Sequence, residues 1–105
     1  MDLYIDTAKI NQTTIKIIDN GVETHIKNLE GVGSDTLLPH LTIVFKEFDP
    51  KKIKRIFVNS GPGSFTGTRV GVSIANALSF SLNIPVNNLK NRAYAKVKYE
   101  QSKFS

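Results

Sequence analysis

The stretch Val58-Asn59-Ser60-Gly61-Pro62-Gly63-Ser64-Phe65-Thr66-Gly67-Thr68-Arg69-Val70-Gly71 constrains this chain more than any other. It starts at the end of Ile56-Phe57-Val58, a short, wholly apolar run of the kind found in central or parallel strands. It leads into a helical pattern from about Thr68 to Leu82. Gly61, Gly63 and Gly67 let the backbone turn sharply between the two. Backbone N–H groups at such a turn, helped by the helix N-terminus, can cradle an anion. The candidate anion-binding loop is therefore Gly61, Gly63, Ser64, Thr66 and Gly67, with Arg69 adding charge from just inside the helix. The known phosphate loops differ from it. Five residues separate Gly61 from Gly67 and Thr68-Arg69 follows, where a Walker A loop has four and then Lys-Ser/Thr. Gly61-Pro62-Gly63 opens a G-x-G-x-x-G whose sixth position is Thr66. A bare tight turn explains the same glycines.

The helix beyond the loop has an unusual face. Gly67, Gly71 and Ala75 are spaced by four and line up on one side, where small residues admit another backbone. Val70, Ile74, Ala77, Leu78 and Leu82 form an adjoining apolar stripe. A helix apolar around much of its circumference must be covered on more than one side. One side suits the sheet. The other needs a second helix, from this chain, from a second copy in a homodimer, or from a different partner.

The rest of the chain supplies the sheet. Leu3-Tyr4-Ile5 reads as a buried strand, and Thr13 to Asp19, rich in β-branched residues, as a second. Asn20-Gly21 is a strong hairpin signal, and Val22 to Leu29 alternates as a third strand. A helix spans about Ser34 to Phe48, with Thr36 favoured as its cap because Pro39 then falls in the first turn. Leu37, Leu38, Leu41, Val44, Phe45 and Phe48 make its apolar stripe. Asp49-Pro50 ends it, and Lys51-Lys52-Ile53-Lys54-Arg55 reads as a solvated lead-in to the fourth strand. Asn83 to Asn87 looks like a last strand entry with Pro85 at its start or on an edge. Beyond it Tyr94, Val97, Gln101 and Phe104 show weak helical spacing. The order β-β-β-α-β-α-β describes an α/β domain, a mixed sheet with helices packed on it. It is the layout of a ribonuclease H-like half-domain of the actin/Hsp70/sugar-kinase (ASKHA) superfamily.

Charge and chemistry narrow the function. Of the net +5, residues 1–86 contribute +1, from nine Lys/Arg against eight Asp/Glu. Residues 87–105 contribute +4, from Lys90, Arg92, Lys96, Lys98 and Lys103 against Glu100. This basic tail can contact RNA, with Lys90, Arg92, Lys96 and Lys98 as the candidate residues. With no cysteine, disulfides and thiolate metal sites are excluded. No apolar run reaches the length of a membrane span, and Met1-Asp2-Leu3-Tyr4 lacks the basic start of a signal peptide. The expected location is the cytoplasm. No H-E-x-x-H or G-x-S-x-G occurs. His25 and His40 read as surface or partly buried histidines, and Asp6 as a turn residue. No catalytic residue and no metal ligand is assigned.

The stretch from Val58 to Gly71 closely resembles the signature of the TsaB (YeaZ) family, G-P-G-S-F-T-G-x-R-x-G after a strand, with every fixed position met. Leu3-Tyr4-Ile5-Asp6-Thr7 is similar to the family's opening strand and its I-D-T. Ser34-Asp35-Thr36-Leu37-Leu38-Pro39 is similar to its helix start, with Gly33 where a histidine is usual. The resemblance covers roughly residues 1–86, a TsaB amino-terminal-type domain. It is followed by the basic tail 87–105, and the family's second ribonuclease H-like half is not in this sequence. The resemblance implies a non-catalytic scaffold of the tRNA N6-threonylcarbamoyladenosine (t6A37) machinery. The implied partner is a TsaD-type carbamoyltransferase, with a TsaE-type ATPase in the same assembly, and tRNA contact is indirect or through the tail. The implied partner surface lies on the two helices, at Leu37, Leu38, Leu41, Phe45, Gly67, Val70, Gly71, Ile74 and Leu78. No cofactor is expected, because a single half leaves the ATP cleft incomplete. A stand-alone RNA- or anion-binding module and a degenerate, self-associating remnant are the alternative readings.

Overall fold

A computed structural model describes residues 1–31, 33–89 and 93–98. The sheet is built from β1 (Asp2–Asp6), β2 (Gln12–Asp19), β3 (Val22–Glu30) and β4 (Arg55–Val58), in the order β3-β2-β1-β4. The first three strands form an antiparallel meander, and β4 runs parallel to β1. The β2–β3 turn is the two-residue Asn20-Gly21, with φ of 52° and 79°. Both residues need the left-handed region there, which is why asparagine and glycine hold the positions.

Register decides which face is buried. Leu3 pairs with Ile17 and Ile56, and Ile5 with Ile15 and Val58. These six side chains share one face and are at most 5% exposed. Burying each contributes about 1.5–3 kcal/mol before conformational entropy is subtracted. Helices α1 (Ser34–Glu47) and α2 (Phe65–Leu82) both cover this face. α2 lies over β1 and β4 and sends Val72 and Ala75 into the core. α1 sends in Leu37, Leu41 and Val44 and reaches β3 through His40. On the opposite face Lys16 stands over the Tyr4 ring (5.6 Å) and Arg55 over Phe57 (5.4 Å). Long cationic stems thus shield the aromatic rings of the open side.

Several local expectations change. α1 has Gly33 as its N-cap without a side-chain bond, so Thr36 is inside the first turn and Pro39 in the second. Pro39 and Asp35 are both exposed, so the Asp35 carbonyl that Pro39 cannot serve stays beside water. α2 starts at Phe65, three residues before Thr68, because the Ser64 hydroxyl accepts from Gly67 N (3.4 Å) as its cap. The expected last strand is reduced to a parallel bridge between Ile56 and Val86. Pro85 has no N–H to give, and Asn87 and Asn88 take positive φ (51° and 55°), which ends extension at once. Residues 93–98 form no helix. The Asn76 side chain instead holds Ala95 at both backbone atoms, donating to its carbonyl (2.9 Å) and accepting from its N–H (2.8 Å). Gln101 and Phe104 lie outside the described residues.

Candidate functional site

Two regions carry the candidate residues. The first lies at the carboxyl ends of the parallel strands β1 and β4. Asp6 closes β1, accepting from Ala8 N (2.9 Å) and from the Asn59 side-chain amide (3.3 Å). This is the turn role expected of it. Thr7, wholly buried, donates to the Gly67 carbonyl (2.5 Å) and so ties β1 to the first turn of α2. The Gly61–Pro62 peptide is cis, and Gly61 has φ of 98°. A Cβ on Gly63 would lie 2.6 Å from the Ala8 carbonyl oxygen, so the loop rests directly on the β1–β2 connection.

Several amides of the loop already have partners inside the chain. Gly61 N donates to Asn59 Oδ1 (3.0 Å), Ser64 N to Ala8 O (2.6 Å) and Thr68 N to Ser64 O (2.9 Å). Thr66 is exposed at the start of α2, and the Arg69 guanidinium sits 5.1 Å from the centre of the Phe65 ring. The buried Thr68 Oγ1 has no hydrogen-bond partner among the described residues.

The second region is formed by the two helices. α2 turns Gly67, Gly71, Val72, Ala75 and Ser79 inward. Its Asn76 side is held by the 93–98 segment. Val70, Ile74 and Leu78 lie on the other side, half-buried against the core and spaced by four. On α1 the His40 side turns toward β3, and Leu38 and Phe45 lie on the opposite side of the helix. Leu38 is 48% exposed, and Phe45 packs partly on the core. Together with Ile43, Phe65 and Phe80, which are 50%, 59% and 65% exposed, these five side chains contribute to the apolar surface of the two helices. Four of the expected interface residues belong elsewhere. Leu37 and Leu41 are buried under α1, and Gly67 and Gly71 are buried, with Gly71 packed on the Thr7 side chain. They hold the chain's own core together and present no surface to a partner. Of the tail residues, Lys96 and Lys98 are exposed, while Lys90 and Arg92 lie outside the described residues.

His25 and His40 are fifteen positions apart in sequence, yet their Nε2 atoms approach to 3.4 Å and Phe48 packs edge-on against the His25 ring at 5.8 Å. His25 is in register with Ile17 and therefore faces the helices, a placement that strand pairing alone creates. Burial lowers the pKa of His40 below its ordinary value, the His25 and Lys27 charges push the same way, and Glu47 opposes them. The folded chain thus binds fewer protons here than the unfolded chain, so this contribution is full above about pH 6.5 and falls as pH drops further. Thermal melts between pH 8 and 5 should show a decline below about pH 6.5 that His40→Gln flattens. An equal decline in the variant would remove the histidine pair as its cause.

Comparison with known proteins adds to this geometry. The family model described as "TsaD: tRNA N6-adenosine threonylcarbamoyltransferase" matches residues 34–102. The tRNA threonylcarbamoyladenosine biosynthesis protein TsaB of Bacillus subtilis (strain 168) is 34% identical over 71 residues, 66% of this chain and 31% of that protein. The protein of the same name from Haemophilus influenzae (strain ATCC 51907 / DSM 11121 / KW20 / Rd) is 29% identical over 92 residues, 85% of this chain and 39% of its own length. The chain therefore spans between three and four tenths of these relatives. The solved structure of YeaZ from Pseudomonas aeruginosa superposes with a TM-score of 0.72 at 24% identity, over 81% of this chain and 40% of that one. The mixed four-stranded sheet with two helices is the fold they share.

Proposed function

We infer the function from one premise: the chain belongs to the TsaD family, whose model matches it over residues 34–102. The likenesses named above are TsaB and YeaZ proteins. On that footing the chain serves threonylcarbamoyladenosine biosynthesis in tRNA as a non-catalytic scaffold. Its partner is a TsaD-type transferase, gripped through α1 and α2, with a TsaE-type ATPase in the same assembly.

One observation carries this reading: Val70, Ile74 and Leu78 line one side of α2, Leu38 and Phe45 line one side of α1, and each side keeps apolar area outside the core. Apolar side chains are worth most where another helix covers them. Among the described residues, no group of three His, Cys, Asp or Glu converges, and Asp6 is taken up in a turn. The domain is one ribonuclease H-like half of the ASKHA type, residues 1–86, followed by the basic tail. No helix among the described residues is long and apolar enough to cross a membrane, which suits work on tRNA in the cytoplasm.

The test is size-exclusion chromatography with light scattering, on the chain alone and mixed with the TsaD-type protein of the same organism. A one-to-one complex, or a homodimer that exchanges for one, is the expected result. No complex at micromolar concentration would defeat the scaffold role.

A further inference from the structure

The ten residues 46–55 hold Lys46, Lys51, Lys52, Lys54 and Arg55, five of the nine cations in residues 1–86. Only Glu47 and Asp49 oppose them there. The rest of residues 1–86 has four cations against six acids. The stretch is therefore locally basic, and the fold fixes it in place. Pro50–Lys52 is a single 3₁₀ turn capped by Asp49, whose side chain accepts from Lys51 N (3.0 Å). Ile53, 1% exposed, anchors the turn in the core, and Lys54 N donates to the Met1 carbonyl (2.8 Å). Lys51, Lys52 and Lys54 are exposed on either side of that anchor. Arg55 is bound by Asp2, at 3.1 and 2.8 Å, and adds little free charge. Among the described residues no ion pair engages the three lysines. Beside them a cleft of about 580 Å³ opens between the turn and the end of α2, where Ser81 and Asn83 offer polar groups.

We propose that this turn, with Lys46 on the last turn of the preceding helix, docks the phosphodiester backbone of RNA. The inference rests on the tRNA reading above and names where that RNA touches this chain. Lysine ammonium groups act as point charges toward phosphate, and several on a rigid turn release several counterions together. The turn lies at the amino ends of β1 and β4, away from the glycine loop at their carboxyl ends. RNA and the glycine loop therefore use opposite ends of the parallel pair.

The test is fluorescence anisotropy with a labelled, unmodified tRNA transcript, titrated from 50 to 200 mM KCl. Three proteins are compared: the unaltered chain, Lys51→Ala/Lys52→Ala/Lys54→Ala, and Lys96→Ala/Lys98→Ala. The triple variant should bind at least about tenfold more weakly, and its salt slope should fall by about 2–3, one phosphate contact per lysine. Circular dichroism should give it a melting temperature close to that of the unaltered chain, since all three lysines are exposed. Wild-type affinity in the triple variant, loss confined to the tail variant, or equally tight binding to phosphatidylcholine–phosphatidylserine vesicles would each overturn the proposal. So would an absence of RNA binding at 50 mM salt. A TsaD-type complex without RNA binding would leave the scaffold role standing and remove this site, and RNA binding without a complex would do the reverse.

Discussion

Gly71→Val should lower the melting temperature by about 12–24 °C, the effect of roughly 3 kcal/mol on a domain this small. A Cβ at Gly71 would collide with Thr7 Oγ1 and press on the rest of that side chain. Thr7 cannot swing away. It is wholly buried, and its hydroxyl is committed to the Gly67 carbonyl at 2.5 Å. α2 cannot lift away either, because Val72 and Ala75 are locked into the core on the same side. Either the Thr7 bond breaks, leaving a buried polar group unpaired, or the helix rises and opens a gap. Gly21→Ala is the informative comparison. Nothing lies near a Cβ at Gly21, and the cost there comes only from φ of 79°, about 1 kcal/mol. Melting curves followed by circular dichroism rank the two. A smaller shift for Gly71→Val than for Gly21→Ala would mean that the close approach of α2 to β1 does not exist.

That approach was legible from the residues. Gly67, Gly71 and Ala75 mark a backbone contact by spacing alone, although the contact turned out to be with the chain's own β1 and not with a partner. Strand pairing was legible too, because Asn20-Gly21 fixes a two-residue turn and the buried alternation of β2 follows. What local pattern missed depends on contacts distant in sequence. Ser64 is a good capping residue, but the glycines around it read as loop, so the helix starts three residues earlier than its apolar spacing alone indicates. The tail's helical spacing gave way to Asn76, which holds Ala95 as a backbone mimic would. His25 and His40 meet only because register and helix placement bring them together. The basic turn is a run in sequence, Lys51-Lys52-Ile53-Lys54-Arg55, which reads as a solvated lead-in; the fold adds the burial of Ile53, which fixes the lysines on a rigid turn.

The separation of core from surface on the helices leads to the second large effect. Ile74→Asp should weaken pairing with a TsaD-type protein by more than about 100-fold while leaving the domain folded. Ile74 is half-buried, at the margin of the core and at the middle of the Val70–Ile74–Leu78 stripe. In the free chain a carboxylate there keeps water, so the fold should lose only about 1–2 kcal/mol. In a helix-on-helix interface the same carboxylate would be desolvated without a partner, at several kcal/mol, and each 1.4 kcal/mol is tenfold in affinity. Leu41→Asp offers the contrast, because Leu41 is 3% exposed and a charge there should unfold the chain outright. Titration calorimetry with the TsaD-type protein, alongside melting curves and the tRNA anisotropy assay, reads all three consequences. Ile74→Asp should lose the partner, keep its fold and keep RNA affinity. Partner affinity unchanged in a folded Ile74→Asp would place the interface somewhere other than the stripe on α2. Loss of RNA affinity in the same variant would merge the two proposed surfaces.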